Sequence, residues 1–236
     1  ARPENLYAKD AAGMNVLADT PEGHALAELI QDTFDAAEKG ICIATPAYCE
    51  FKAELLAADK AHKPRIFMMV CVGQNTPVKM SLGQVLQIFV GTAEKTGVWL
   101  AEDVVQDGHK LAHRLLQNAT ENTRFMAVDV EKNDNTMGKS PLLGAIECAV
   151  SFFDNGRYGP EHSDFRNRVR TQLHTLLRGI FNCPLICDNS VIIMQDTMPS
   201  GMYPTSWFDA IANMVRMIGV CIKNGWHTSV EECMEE

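Results

Sequence analysis

The chain has 236 residues, 46% of them hydrophobic and 22% charged, which is an ordinary composition for a folded protein with one substantial core or two small ones. Its apolar stretches are far shorter than the ~20 residues that a membrane-spanning helix needs, which excludes a membrane span. Because the formal net charge is −9, the surface as a whole should not attract nucleic acid, and any RNA contact must come from local Lys and Arg residues. The first five residues contain neither an initiator methionine nor a signal-peptide pattern, so we expect the chain to begin inside a larger protein.

The eight cysteines are scattered along the chain, and no pair has the spacing of a zinc site. We therefore expect reduced, mostly buried thiols in a cytosolic protein. Cys183 and Cys187 flank Pro184 without a second pair of His or Cys residues nearby, so no metal is assigned to them.

The pattern of apolar residues predicts the secondary structure in chain order. Helical spacing, with Thr20 as the N-cap, Pro21 at the first helical position and Gly40 beyond the end, predicts the first helix. Apolar runs closed by turn residues predict strands, among them a buried strand closed by Gly73. The predicted helices span 20–39, 78–89, 108–117, 141–153, 164–179 and 205–223. The predicted strands span 64–72, 123–130, 185–187 and 190–195, and the last two are joined by a turn at Asp188 and Asn189.

A basic segment leads into the strand predicted at 64–72. The run Phe51-Lys52-Ala53-Glu54 is followed by Lys60, Lys63 and Arg65. Such cations could hold a triphosphate and neutralise the charge that develops as pyrophosphate leaves. A charged strand edge without a function stays an alternative. A second basic cluster at 157–170 is more typical of a solvated helix face.

An acidic run follows the strand predicted at 123–130. Asp129 is placed at the carboxyl end of that strand, and Asp134 comes five positions later. A carboxylate there offers Mg²⁺ a hard oxygen ligand while the metal keeps its waters and binds substrate phosphates. Aspartates are also common where strands enter turns, so a solvated turn stays an alternative.

The loop 198–204 precedes the last predicted helix. Gly201 can take backbone conformations closed to other residues and lets the backbone pass close to a ligand. Thr205 and Asp209, four residues apart, share one helix face, so both can point at one ligand together with Ser200. A face of this kind can bind a ribose. A simple capping loop, with Ser200 or Thr205 as the N-cap, is the alternative.

In this order, the basic segment, the acidic run and the loop resemble the fingers motif F and the palm motifs A and B of viral RNA-dependent RNA polymerases, most nearly the picorna-like enzymes. The resemblance covers about residues 45–225 and depends on the order and approximate spacing of three short motifs. The matching residues are Phe51-Lys52-Ala53-Glu54 and Lys63-Pro64-Arg65-Ile66 for motif F, Asp129 and Asp134 for motif A, and Pro199-Ser200-Gly201 with Thr205 for motif B.

The resemblance implies a role for each matching position. Lys63 and Arg65 would cover the triphosphate of the incoming nucleotide. Asp129 would bind both catalytic metal ions, Mg²⁺ or Mn²⁺, and Val130 would be a further metal ligand. Asp134 would be the second catalytic residue of motif A and would sense the incoming ribose.

The motif B positions would complete the ribose-sensing group. Ser200, Thr205 and Asp209 would act with Asp134 on the 2′-hydroxyl, and a site built to hydrogen-bond that group selects ribonucleotides over deoxynucleotides. Gly201 resembles the flexible pivot of a loop that moves with translocation.

Two features depart from the family within the matched region. The position of Asp209 is usually asparagine, and an acid beside Asp134 places like charges together unless one is protonated or paired. The stretch between Asp134 and Ser200 is longer than in the picorna-like enzymes, which predicts an insertion around 155–164 and argues against a close picornavirus relative.

The family's motif C, a Gly-Asp-Asp hairpin with the second metal-binding acid, should follow motif B, and the catalytic set is therefore expected to be incomplete at Glu236. Some viral polymerases carry motif C ahead of motif A, and the apolar-acid-apolar segment 98–105 with Glu102 and Asp103 has the required form. A helix predicted at 108–117 fits the ordinary motif order better.

The expected fold is α+β: an incomplete right-hand polymerase palm with an antiparallel sheet, interleaved with helical fingers. Residues 1–122 would form the fingers region with motif F, and residues 123–236 the palm region with motifs A and B, part of 141–195 returning to the fingers. The sequence shows no internal repeat and no linker.

The function implied by the resemblance is template-directed RNA synthesis by an RNA-directed RNA polymerase, and whether 236 residues suffice for activity stays open. Its partners would be the RNA template and product strand, ribonucleoside triphosphates and other viral replication or capsid proteins, in a replication complex of the host cytoplasm or in a virion. A non-catalytic polymerase-like domain that binds RNA or a capsid partner is the alternative. A reverse transcriptase is disfavoured, because that family has a bulky aromatic residue at the position of Asp134.

Overall fold

The computed structural model describes residues 3–51, 66–92, 95, 104–117, 119–125, 137–153, 163–203, 205–226 and 229. These residues form a mixture of helices and small sheets, so the α+β prediction is confirmed at that level. No described helix combines the length and apolar character needed to cross a membrane. The helices are α1 (Pro3–Leu6), α2 (Pro21–Glu38), α3 (Val72–Val90), α4 (Val104–Leu116), α5 (Lys139–Ser151), α6 (Ser163–Phe181) and α7 (Thr205–Lys223), and the strands are β1 (Tyr7–Lys9), β2 (Asn15–Leu17), β3 (Ala47–Phe51), β4 (Ile66–Met69), β5 (Pro184–Cys187) and β6 (Ser190–Ile193).

Helix α2 begins and ends where its sequence predicts. Thr20 has extended backbone angles, φ −136° and ψ 158°, and its side-chain oxygen accepts a hydrogen bond from the amide of Gly23 at 3.1 Å. Pro21 follows at the first helical position, where no amide hydrogen is needed. Beyond the last turn, Gly40 has φ +74°, a left-handed conformation that glycine adopts without steric cost.

The larger sheet has the strand order β4-β3-β5-β6. Strand β3 pairs antiparallel with β4 and parallel with β5, and β5 pairs antiparallel with β6 across the turn predicted at Asp188 and Asn189. Asp188 has φ +52°, as a tight hairpin turn requires. One core lies against this sheet and comprises Ala47, Met68, Cys183, Leu185 and Met194.

Two details of the segment around β4 differ from the sequence prediction. A buried strand was predicted at 64–72, but Ile66 is 55% exposed and Met69 39% exposed, and Met68 is the residue of β4 that packs into the core cluster. Gly73 does not close the strand, since it lies in the first turn of α3, which begins six residues earlier than predicted. Strand β3 was not predicted.

The chain divides into two compact units, residues 1–81 with 153–203 and residues 82–152 with 204–236. In the first unit, α2 packs against α6, and Leu173, Leu177 and Ile180 of α6 are fully buried. The two units are distinguished by how the chain packs, so the predicted boundary between fingers and palm at residue 122 remains a prediction.

In the second unit, α5 packs against α7 around a cluster of aromatic rings. The ring centroids of Phe89 and Trp207 lie 5.6 Å apart, and those of Trp207 and Phe208 lie 4.9 Å apart, in edge-to-face arrangements that favour aromatic pairs. The two helices are in contact at Gly144, where an added Cβ would lie at an ordinary van der Waals distance of 3.4 Å from Val215. The cluster fixes the first two turns of α7, which carry Thr205 and Asp209.

Candidate functional site

Four of the predicted site residues lie in the described part of the chain. Ser200 and Gly201 lie in the loop Met198–Tyr203 of the first unit, and Thr205 and Asp209 lie on α7 of the second unit. The other predicted residues, Lys63, Arg65, Asp129, Val130 and Asp134, lie outside the described residues, as do Glu102 and Asp103.

The loop 198–203, called the motif B loop below, is hydrogen-bonded to the edge strand β4. The amide of Gly201 donates to the carbonyl oxygen of Met68 at 2.9 Å. The amide of Met68 donates in return to the side-chain oxygen of Ser200 at 3.1 Å. The amide and the carbonyl of Met68 therefore both find hydrogen-bond partners in the motif B loop, on the side of β4 that β3 does not pair. An edge strand needs such partners where its backbone is buried.

Gly201 is required by this close approach. A Cβ added at residue 201 would overlap the carbonyl oxygen of Met68 and would lie 3.1 Å from the ring of Phe67. The glycine does not have a left-handed backbone, so the freedom that the sequence suggested is not used in this conformation. The predicted close passage of the backbone is present, and its neighbour is β4.

Asn75, in the first turn of α3, fixes the other side of the motif B loop. Its side-chain oxygen accepts from the amide of Tyr203 at 2.7 Å, and its side-chain nitrogen donates to the carbonyl oxygen of Gly201 at 3.4 Å. The ammonium of Lys79, one turn further, lies 5.6 Å from the centre of the Tyr203 ring. Burial raises the pKa of the Tyr203 hydroxyl, so this residue stays neutral over the physiological range.

Sequence reasoning missed Asn75. It is separated from Gly201 by 126 residues, and no local pattern connects the two. The signal available in the sequence was Asn75 itself. Asparagine is a poor helix former, and this one stands next to Gln74 at the start of a largely apolar helix.

The ends of the predicted motif F segment lie side by side. Phe51, the last residue of β3, is paired in register with Ile66, the first residue of β4. The described residues that flank 52–65 are therefore neighbours in the sheet, and in the sequence Arg65 immediately precedes the strand to which the motif B loop is hydrogen-bonded.

Helix α7 carries the remaining described positions and contacts the end of the predicted motif A segment. Thr205 and Asp209 lie four residues apart on one helix face, both half-buried, and one carboxylate oxygen of Asp209 is inaccessible to solvent. Two turns further along, the guanidinium of Arg216 donates to the carbonyl oxygen of Met137 at 2.6 Å. Met137 is buried and follows the segment that contains Asp129 and Asp134, so Arg216 is a second residue that sequence reasoning missed.

Within the ranges that the structure describes, no group of three or more His, Cys, Asp or Glu side chains is placed to hold a metal ion. Both predicted metal ligands belong to the segment 126–136, outside those ranges.

No known family model matches the sequence. A search of curated proteins gave no significant match either.

Proposed function

We propose that this chain contains the nucleotide-binding and ribose-selecting part of a viral-type RNA-dependent RNA polymerase. The observation that carries the proposal is the pair of hydrogen bonds between the motif B loop and β4, at Gly201 and Ser200. It joins two of the three motifs that the sequence suggested, because β4 directly follows Arg65.

A second relationship supports the same proposal in the other unit. Arg216 holds the carbonyl of Met137, so the segment after motif A ends on the helix that carries Thr205 and Asp209. A ribose-sensing group made of Asp134, Thr205 and Asp209 needs these two segments to be neighbours. The hydrogen bond between Arg216 and Met137 supports this arrangement, because Met137 lies three residues after Asp134.

In this proposal each residue contributes charge or hydrogen bonds at a defined part of the nucleotide. Lys63 and Arg65 bind the triphosphate, and their positive charge opposes the charge that develops on pyrophosphate. Asp129, with Val130, would hold Mg²⁺ or Mn²⁺, which when bound activates the 3′-hydroxyl and stabilises the leaving group. Asp134 would sense the ribose of the same nucleotide.

Ser200, Thr205 and Asp209 would read the 2′-hydroxyl, which is both a donor and an acceptor. The half-buried carboxylate of Asp209 can accept a hydrogen bond from the hydroxyl, as the side-chain oxygen of the family's usual asparagine can. A deoxynucleotide would leave these polar groups without their partner, at a cost of about 1–3 kcal/mol for each buried group. The ligands would be an RNA template, its product strand and ribonucleoside triphosphates, in a viral replication complex or virion of the host cytoplasm, with other viral proteins as partners.

The test is equilibrium binding of ATP and dATP to the full chain, with and without Mg²⁺. We expect ATP to bind more tightly than dATP and to need Mg²⁺. Asp129→Ala should weaken Mg²⁺-dependent ATP binding at least tenfold, about 1.4 kcal/mol. Asp32→Ala, which removes an exposed carboxylate of α2, is the matched control and should leave binding unchanged. Equal binding by the two variants and the parent chain would reject the proposal.

A non-catalytic RNA-binding domain is the second candidate function. A row of basic and histidine side chains on α4 favours it. His109, Lys110, His113 and Arg114 line one depression on this strongly amphipathic helix, and the four side chains can present cationic groups to phosphates. This candidate predicts salt-dependent binding of RNA that needs no Mg²⁺ and does not change in Asp129→Ala. His113→Ala with Arg114→Ala should then weaken RNA binding while ATP has no measurable affinity.

A further inference from the structure

Two thiols meet across neighbouring strands of the larger sheet. Strands β3 and β5 are parallel, with Ala47 opposite Leu185 and Tyr48 opposite Ile186. The same register, continued by one residue, places Cys49 opposite Cys187. The thiol of Cys187 donates a hydrogen bond to the sulfur of Cys49, and the two Sγ atoms lie 2.6 Å apart. None of the proposed polymerase roles uses these residues.

The backbone at this place suits a covalent bond between the two sulfurs. Adjacent strands lie about 4.7–4.9 Å apart, and disulfides join Cα atoms that are about 4.4–6.8 Å apart. Strand movement is therefore not needed to form the bond. Both cysteines are half-buried at the margin of the core cluster and in part accessible to small reagents, whereas Cys183 in the same cluster is fully buried.

This finding corrects the expectation of mostly buried thiols. Among the seven cysteines in the described ranges, Cys183 is buried, Cys42 is exposed and the other five are half-buried. The reason is that several lie on strand positions or helix faces that solvent reaches.

We propose that Cys49 and Cys187 are an oxidisable dithiol, which a low-molecular-weight disulfide such as oxidised glutathione converts to a disulfide that ties β3 to β5. One cysteine thiolate attacks a sulfur of oxidised glutathione, forms a mixed disulfide and releases a glutathione thiolate. The other cysteine thiolate then attacks the protein sulfur of that mixed disulfide and releases the second glutathione. The two cysteines lose two electrons and two protons, and two molecules of reduced glutathione take them up.

Proximity makes the second step fast. The two sulfurs are already in contact, so closure is intramolecular and competes well against a second glutathione molecule from solution. Burial, with a smaller contribution from the neighbouring Cys187 thiol, raises the pKa of the Cys49 thiol to about 11. Thiolate is therefore scarce at neutral pH, and the reaction is best followed at mildly alkaline pH, where the thiolate fraction is larger.

The experiment treats the reduced full chain with oxidised glutathione, blocks the remaining thiols with N-ethylmaleimide, and digests the protein without reduction. We expect mass spectrometry to find the peptide of Cys49 joined to the peptide of Cys187, and the intact protein to carry six maleimide groups, where the fully reduced chain with eight cysteines would carry eight. The same treatment in urea should abolish the preference for this pair, because unfolding separates strands that are 138 residues apart in the chain.

Two variants distinguish the link between Cys49 and Cys187 from reactions of the other thiols. In Cys49→Ser the internal link is lost, and Cys187 should instead retain one glutathione. Cys221→Ser, which removes a half-buried thiol of α7, should keep the full yield of the link. The proposal is overturned if the folded parent chain carries glutathione on both cysteines, or if another pair such as Cys42 with Cys183 forms in its place. The outcome does not depend on whether the chain binds nucleotides.

Discussion

The amide of Gly201 and the carbonyl of Met68 are hydrogen-bonded at 2.9 Å, and the space between the two backbones has no room for a side chain on residue 201. This contact joins a loop near the end of the first unit to an edge strand more than a hundred residues earlier. It explains in steric terms why glycine stands at this position, and it gives the first prediction.

Gly201→Ala should destabilise the chain by about 1–3 kcal/mol, the usual cost of forcing an extra carbon into a packed site. The added Cβ must push the loop away from β4 and weaken both hydrogen bonds to Met68. Urea unfolding followed by circular dichroism measures the change. The matched control is Gly219→Ala on α7, where the new Cβ meets no atom and helix propensity should stabilise the chain by up to about 1 kcal/mol. Equal shifts in both variants would contradict the steric explanation.

Asn75→Ala should loosen the motif B loop. The substitution removes the acceptor for the amide of Tyr203 and the donor to the carbonyl of Gly201. Leaving such groups without a partner costs about 1–3 kcal/mol. The free energy of unfolding should fall by that amount, and limited proteolysis near residues 198–203 should become faster. Asn224→Ala, whose side chain contacts a carbonyl of its own helix end, should change stability by less than about 0.5 kcal/mol. If the rate of cleavage in the loop is unchanged in Asn75→Ala, Asn75 does not hold the motif B loop in place.

Arg216→Leu should cost about 1.5–3 kcal/mol of unfolding free energy, because a charged donor is withdrawn from the carbonyl of buried Met137. If motif A lies in the preceding segment, Mg²⁺-dependent ATP binding should weaken as well. Arg168→Leu is the control, since its ion pair with Glu38 at 3.1 Å is exposed and should contribute at most about 1 kcal/mol. Loss of stability without any change in ATP binding would make Arg216 purely structural.

Asp209→Leu should reduce the preference for ATP over dATP by about tenfold, or 1.4 kcal/mol, because it removes a half-buried acceptor that in the proposed function contacts the ribose. Asp209→Asn keeps a hydrogen-bonding oxygen and removes a negative charge next to the predicted site, so the preference should survive. Competition binding with the two nucleotides measures both variants. If Asp209→Leu selects ribose as well as the parent chain does, Asp209 does not read the 2′-hydroxyl.

Alkylation of Cys49 by iodoacetamide should be slow at neutral pH and should become faster as pH rises towards 11. Iodoacetamide reacts with the thiolate, and burial raises the pKa of the Cys49 thiol from 9.0 to about 11. Below the pKa the thiolate fraction grows about tenfold for each pH unit. The folded state thus holds this proton more tightly than the unfolded state does, so ionisation of Cys49 should lower stability as pH rises above about 9. Peptide mapping across a pH series measures the rate, and a plateau near pH 9 would contradict the raised pKa.

Local sequence patterns predicted six of the seven helices in the described ranges, and they missed α1 and the strands β1, β2 and β3. Thr20, Pro21 and Gly40 bound α2 as predicted, and the helices at 141–153, 164–179 and 205–223 appear within two residues of their expected ends. The hairpin at Asp188 and Asn189 was predicted too. These features are local: caps, turn residues and apolar periodicity act over a few positions along the chain.

Tertiary structure decided what the local patterns leave open. The apolar run at 66–69 suggested burial, but of these four residues Met68 alone packs into the core beside the sheet and is buried. The contacts of Gly201 with Met68, Arg216 with Met137 and Cys49 with Cys187 join segments 79 to more than 130 residues apart. Such contacts depend on how distant elements pack to satisfy backbone groups and exclude water, and no spacing along the chain encodes them.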